Sequence, residues 1–238
     1  SSFYISHYGR HGSRYINKRS GYDIPYKMMV QANQVNELTA TGKRVLDEMN
    51  LILEDSEERW GDLTPLGRQQ QRLIARRMIR RFPEVFADSA CVTARSTVLP
   101  RCIVSMETAM MELAQQNPRL NITMDASKST QCYMNYQDPV LRKSKLTPEA
   151  QKAYDEYTAS RMGNSRLMEM LFKNPDIVKE LVDESFFNYY LMKMGLFQLN
   201  THLWQDTYLT DLFTTEDLYR MWQIDNVLWY LQYGFCPL

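Results

Sequence analysis

The sequence predicts an α/β fold followed by a mainly helical second subdomain, on three observations. The first ~125 residues alternate short apolar runs with amphipathic stretches, the order expected of a parallel sheet with crossover helices. From residue 129 onward the strand pattern stops, and helix caps and large aromatic residues take over. The chain has 238 residues, 44% hydrophobic and 24% charged, which suits a soluble globular protein with a sizeable core. The expected division is an α/β part over 1–128 and a helical part over 129–238.

Taken in order, Phe3-Tyr4-Ile5-Ser6 is a strand candidate that runs into a turn rich in glycine and arginine. Tyr26 to Met49 is mostly helical, with a break near Thr39–Gly42. Thr64-Pro65 opens a helix, with threonine as cap and proline in the first turn. That helix runs to Phe82, with Leu66, Leu73, Ile74 and Met78 spaced for one buried face, and Pro83 stops it. Ala90–Thr93 is a second strand. Pro100 opens the next helix, which directs Ile103, Met106, Met110 and Leu113 inward. Leu120–Met124 is a third strand. In the second half, Thr147-Pro148-Glu149 and Asn174-Pro175-Asp176 are helix starts, and Gly195 is read as a helix end. Thr214 and Asp217 form a capping box for a helix through Tyr233, closed by Gly234. The methionines and aromatics of this half read as core.

Net charge is zero, from 28 basic and 28 acidic residues. This argues against a general nucleic-acid binder. No apolar run is long enough to span a membrane. The four cysteines (Cys91, Cys102, Cys132, Cys236) contain no C-x-x-C, and with three histidines they do not suggest a metal site. Charge is nevertheless uneven. Residues 1–30 hold five basic residues against Asp23, and residues 66–101 hold eight arginines against Glu84 and Asp88. Such segments suit an anionic small molecule if they meet in space. The run from Arg72 to Arg81 reads more simply as a solvated helix face.

The stretch that carries chemistry is Tyr8-Gly9-Arg10-His11-Gly12-Ser13-Arg14. A histidine after a strand and before a helix stands where parallel sheets place ligands. Arg10 and Arg14 can fork onto phosphate oxygens. Gly12 clears space beside the imidazole. Nearby guanidinium charge disfavours the protonated ring, and a neutral imidazole is a competent nucleophile toward phosphorus. The arginines would hold the substrate and balance charge in the transition state.

These residues resemble the histidine phosphatase superfamily. Serine after R-H-G places the chain on the acid phosphatase and phytase branch. Leu63-Thr64-Pro65-Leu66-Gly67 is similar to the family's L-T-x-x-G helix start, and Arg101-Cys102-Ile103-Val104-Ser105 to its segment bearing a third phosphate arginine. Within the branch, the pattern is most similar to the multiple inositol polyphosphate phosphatases, particularly bacterial ones. The resemblance implies a phosphoglycerate-mutase-like three-layer core and hydrolysis of phosphate monoesters, with inositol polyphosphates as substrates. It implies His11 as nucleophile, Arg10, Arg14 and Arg101 as phosphate ligands, no cofactor or metal, and a periplasmic or secreted setting. Lys18, Arg19, Tyr22 and Lys27 follow the motif as a candidate substrate rim; the alternative is a solvated loop. Arg95 matches no catalytic position.

The chain departs from this pattern in one respect. The branch supplies its leaving-group acid from a late His-Ala-Glu or His-Asp motif, and neither occurs here. His202, in Asn200-Thr201-His202-Leu203-Trp204, fits neither motif and reads as a packing or surface residue. With three strand candidates, the expectation is an N-terminal portion of a longer phosphatase, with the C-terminal part of the core missing or supplied as a separate fragment. Two alternatives stay open: a non-catalytic phosphate or inositol-phosphate binding module, and a mutase-type phosphotransferase, against which Ser13 weighs.

Overall fold

The computed structural model describes residues 2–134 and 147–234. In chain order the helices and strands are α1 (Ser20–Gln34), α2 (Ala40–Ser56), α3 (Pro65–Arg81), β1 (Cys91–Arg95), α4 (Pro100–Gln116) and β2 (Asn121–Asp125). They continue with α5 (Pro148–Met162), α6 (Ser165–Leu171), the one-turn α7 (Pro175–Val178), α8 (Glu184–Gln198) and α9 (Thr215–Tyr233). The chain forms two units, Ser1–Tyr15 with Gly61–Tyr136, and Ile16–Trp60 with Gln137–Leu238. This differs from the expected division, because residues 16–60 belong with the helical half. The cause is burial: Met29, Val45 and Met49 of α1 and α2 share one core with Leu167, Phe172, Phe187 and Leu191.

The first unit is a βαβ arrangement. β1 and β2 pair in parallel, in register from Cys91↔Asn121 to Arg95↔Asp125, with α4 as the crossover. α3 packs on α4, and Ala75, Phe86, Ala109 and Leu113 form the small core between the helices and the sheet. The strand expected over Phe3–Ser6 does not form among the described residues. Phe3 is 95% exposed, and only Ile5 of this stretch packs on the core, so the segment has neither ladder partners nor a buried face.

Two helix faces also differ from expectation. α3 buries Gly67, Gln71 and Ala75 instead of its larger apolar residues. α4 buries Ser105, Thr108, Ala109 and Glu112 along with Leu113. Of the residues expected to face inward, Leu113 is buried and Met78 and Met110 pack half-buried on the small core, while Leu73 is left 38% exposed.

The second unit is helical. Thr39 caps α2, accepting from Gly42 N–H. The Thr214–Asp217 capping box of α9 forms as expected, with Arg166 and Arg220 on the Asp217 carboxylate. Gly195 is not a helix end. It lies inside α8, where a Cβ would sit 3.1 Å from Leu209 Cβ, so its role is to admit the neighbouring 3-10 turn. Among the described residues, no helix is long and apolar enough to cross a membrane.

Candidate active site

The loop Arg10–Arg14 is held by side chains of α3 and α4 rather than by a strand. Gly12 N–H donates to Ser105 Oγ at 3.1 Å. Gln70 Oε1 accepts from Ser13 N–H at 2.9 Å and from Ser13 Oγ at 3.1 Å. Gln71 Nε2 donates to the Arg10 carbonyl at 3.1 Å. Thr64 caps α3 through Gly67 N–H and also donates its hydroxyl to Ser13 O at 3.0 Å. Ser13 O accepts again from Thr64 N–H at 2.9 Å, beside an isolated antiparallel bridge between Arg14 and Leu63. Each of these loop backbone groups thus has a partner within the protein.

His11 sits half-buried in this frame. Its Nδ1 lies 2.7 Å from Gly12 O. A carbonyl oxygen can only accept, so Nδ1 carries the proton and the Nε2 lone pair is left available in the neutral ring. Burial holds the imidazole below its usual pKa; the Gly12 hydrogen bond opposes this, and the charges of Arg101, Arg10 and Arg14 add to it. The direction agrees with the sequence reading, but burial is the largest cause and the arginines come after it.

Arg101 stands in the first turn of α4, and its Nη1 donates to Gly61 O at 3.4 Å. Its buried Nε has no hydrogen-bond partner among the described residues. Arg14 Nη1 donates to Tyr15 O at 2.8 Å. The structure therefore gathers His11 with all three arginines singled out from the sequence. A half-buried imidazole within electrostatic reach of three guanidinium groups is suited to a tetrahedral dianion.

A cleft of about 480 Å³ opens beside His11, lined among others by His7, Arg10, Gln70, Leu73, Ile74 and Arg77. The rim residues taken from the sequence belong to the second unit. Tyr22 is a core residue whose Oη accepts from Ile16 N–H at 2.8 Å, which removes it as a rim candidate. Arg19 pairs with Asp23 and Glu57 and lies over the Trp60 ring. Lys18 and Lys27 are exposed. His202 is exposed and faces Asp55, with Nδ1 at 3.4 Å from Oδ1. Sequence reasoning missed Gln70 and Gln71, and gave no role to Ser105 within the Arg101–Ser105 segment. A signal for Gln71 was present, since Gly67, Gln71 and Ala75 recur every four residues on one face of α3.

Fold and site together define an α/β chain with a half-buried histidine placed among arginines. The profile of the histidine phosphatase superfamily (branch 2) matches residues 9–237, and the chain belongs to that family. A phytase from D. castellii has a similar fold, with a TM-score of 0.58 at 14% sequence identity, over 93% of this chain and 49% of that one. The chain thus spans about half the length of that phytase. No curated protein matches it by sequence.

Proposed function

We propose that the chain acts on phosphate monoesters through a phosphohistidine on His11, with inositol polyphosphates as the substrate class. The observation that carries this is the proton held on His11 Nδ1 by Gly12 O, which leaves Nε2 nucleophilic among Arg10, Arg14 and Arg101. Nε2 attacks phosphorus, an N–P bond forms, and the P–O bond to the leaving alcohol breaks. The leaving oxygen takes a proton from an acid or from water. Water then attacks phosphorus, the N–P bond breaks, and inorganic phosphate leaves with the ring restored. The guanidinium groups balance the charge on the equatorial oxygens throughout, so the reading needs no metal. The family resemblance supports a periplasmic or secreted setting.

The test is phosphate release from inositol hexakisphosphate and from an activated aryl phosphate, comparing the chain with His11→Ala. An aryl leaving group departs without protonation, so it reports on His11 even where no acid assists. Release that disappears in His11→Ala, together with an acid-labile phosphoprotein in the parent chain, is the expected result. Release unchanged by the substitution would overturn the reading. A second reading is a phosphate-binding module. Tight phosphate binding without aryl phosphate turnover would select it.

A further inference from the structure

The arginine run of α3 is not uniform. Arg76 pairs with the buried Glu112 of α4. Arg72 acts on the same carboxylate through its charge. Arg80 donates to the Arg76 carbonyl, and Arg81 lies over the Phe82 ring. Arg77 differs from these. It is exposed, it lines the cleft that holds His11, and no carboxylate pairs with it among the described residues.

The lining of the cleft along α3 has an order. Gln70 anchors Ser13 next to His11. Leu73 and Ile74 come one turn later, and Arg77 two turns later, all on the cleft side. Seven residues of helix cover about 10 Å, so Arg77 begins about that far along the helix from the residue that holds the nucleophile loop. A long guanidinium side chain reaches back over part of this span. The sequence from the loop outward is anion site, apolar wall, cation. A ligand that matches it carries one phosphate at His11, a carbon skeleton against Leu73 and Ile74, and a second phosphate at Arg77.

We propose that Arg77 is a specificity-determining residue of this cleft, which binds a second phosphate group of the substrate and selects bis- and polyphosphorylated small molecules over simple monoesters. The proposal rests on the reading of His11 as the site of the first phosphate, and Arg10 is the one of its three arginines that lines this cleft. It moves the substrate rim from Lys18, Arg19 and Lys27 to α3.

The experiment is calorimetric titration of the 238-residue chain with inorganic phosphate and with inositol hexakisphosphate. Arg77→Gln is the variant and Arg72→Gln the control for general charge. Both positions are exposed, so neither substitution disturbs the core. Arg77→Gln is expected to weaken hexakisphosphate binding about tenfold, the size of one charge-assisted contact, while inorganic phosphate binding stays within about twofold. Arg77→Lys should recover part of the loss. Equal weakening by Arg72→Gln, or no weakening by Arg77→Gln, overturns the proposal. A chain that binds phosphate but gains nothing from the hexakisphosphate also overturns it, and leaves the reading of His11 standing. A chain that binds neither overturns both.

Discussion

Gly12 and Gly67 meet backbone to backbone: a Cβ on Gly12 would lie 2.3 Å from Gly67 O, and a Cβ on Gly67 would lie 2.2 Å from Ser13 O. This contact sets the Arg10–Arg14 loop against the first turn of α3. It also explains why α3 has glycine at position 67, while Gln71 one turn on is buried by its hydrogen bond to the Arg10 carbonyl. The loop is therefore positioned by packing between two segments about fifty residues apart, and His11 inherits its orientation from that packing.

Gly12→Ala is expected to destabilise the chain by about 3 kcal/mol, because a backbone-to-backbone contact cannot absorb a methyl group. Urea denaturation would measure this. A variant of unchanged midpoint would show that the loop can move away from α3 at little cost.

Arg101→Ala should weaken inorganic phosphate binding roughly 10- to 100-fold, the range of a lost charged hydrogen bond. The buried Nε of Arg101 and its charge next to His11 are the basis. Titration calorimetry is the measurement, and Arg95→Ala, on a strand residue that the site does not use, should leave binding unchanged.

Leaving-group chemistry should show directly. The chain has no His-Ala-Glu or His-Asp motif, and no carboxylate lines the His11 cleft among the described residues. Turnover of an aryl phosphate should therefore exceed that of an alkyl phosphate by about 10²–10⁴, the usual contribution of a general acid, beyond any difference in binding. Equal rates would mean that an acid reaches the cleft after all.

His11 gives stability a pH dependence of known sign. Its folded pKa lies below the unfolded value of 6.5, so the unfolded chain binds the proton more readily. The stability is present above pH 6.5 and is lost as pH falls through the folded value. His11→Asn, which does not titrate, should lose less stability over that interval than the parent. Thermal melts at matched ionic strength would show it.

Asp217 provides a second, more acidic window. Burial raises its pKa, but the Thr214 hydrogen bonds and Arg166 outweigh burial and hold it down at about 2, against an ordinary 3.8. Its contribution is present above pH 3.8 and disappears as pH falls toward 2. Asp217→Ala should cost about 2–4 kcal/mol at neutral pH, from the lost cap and the lost charged hydrogen bonds. It should also remove this acid-side slope.

Much of the site is visible along the chain because its chemistry is local. Arg10, His11, Gly12 and Arg14 lie within five positions, and Arg101 stands in a helix start marked by Pro100. Helix caps at Thr64 and Thr214 read correctly for the same reason, since a cap is a contact of three residues. The failures are non-local. Phe3–Ser6 has strand composition, but a strand forms only where another segment offers a ladder. Gly195 looks like a terminus until Leu209 is seen to pack on it. Tyr22 follows the motif in sequence, yet its ring is claimed by the core of the other unit.

The order of residues was enough to point to the family and to single out His11 with Arg10, Arg14 and Arg101, since each is a statement about residue types at short spacing. Folding added three things: which proton His11 carries, the membership of residues 16–60 in the helical unit, and the turn of α3 that presents Arg77 to the cleft. Each depends on which surfaces exclude water from which, and that is settled between segments far apart in the chain.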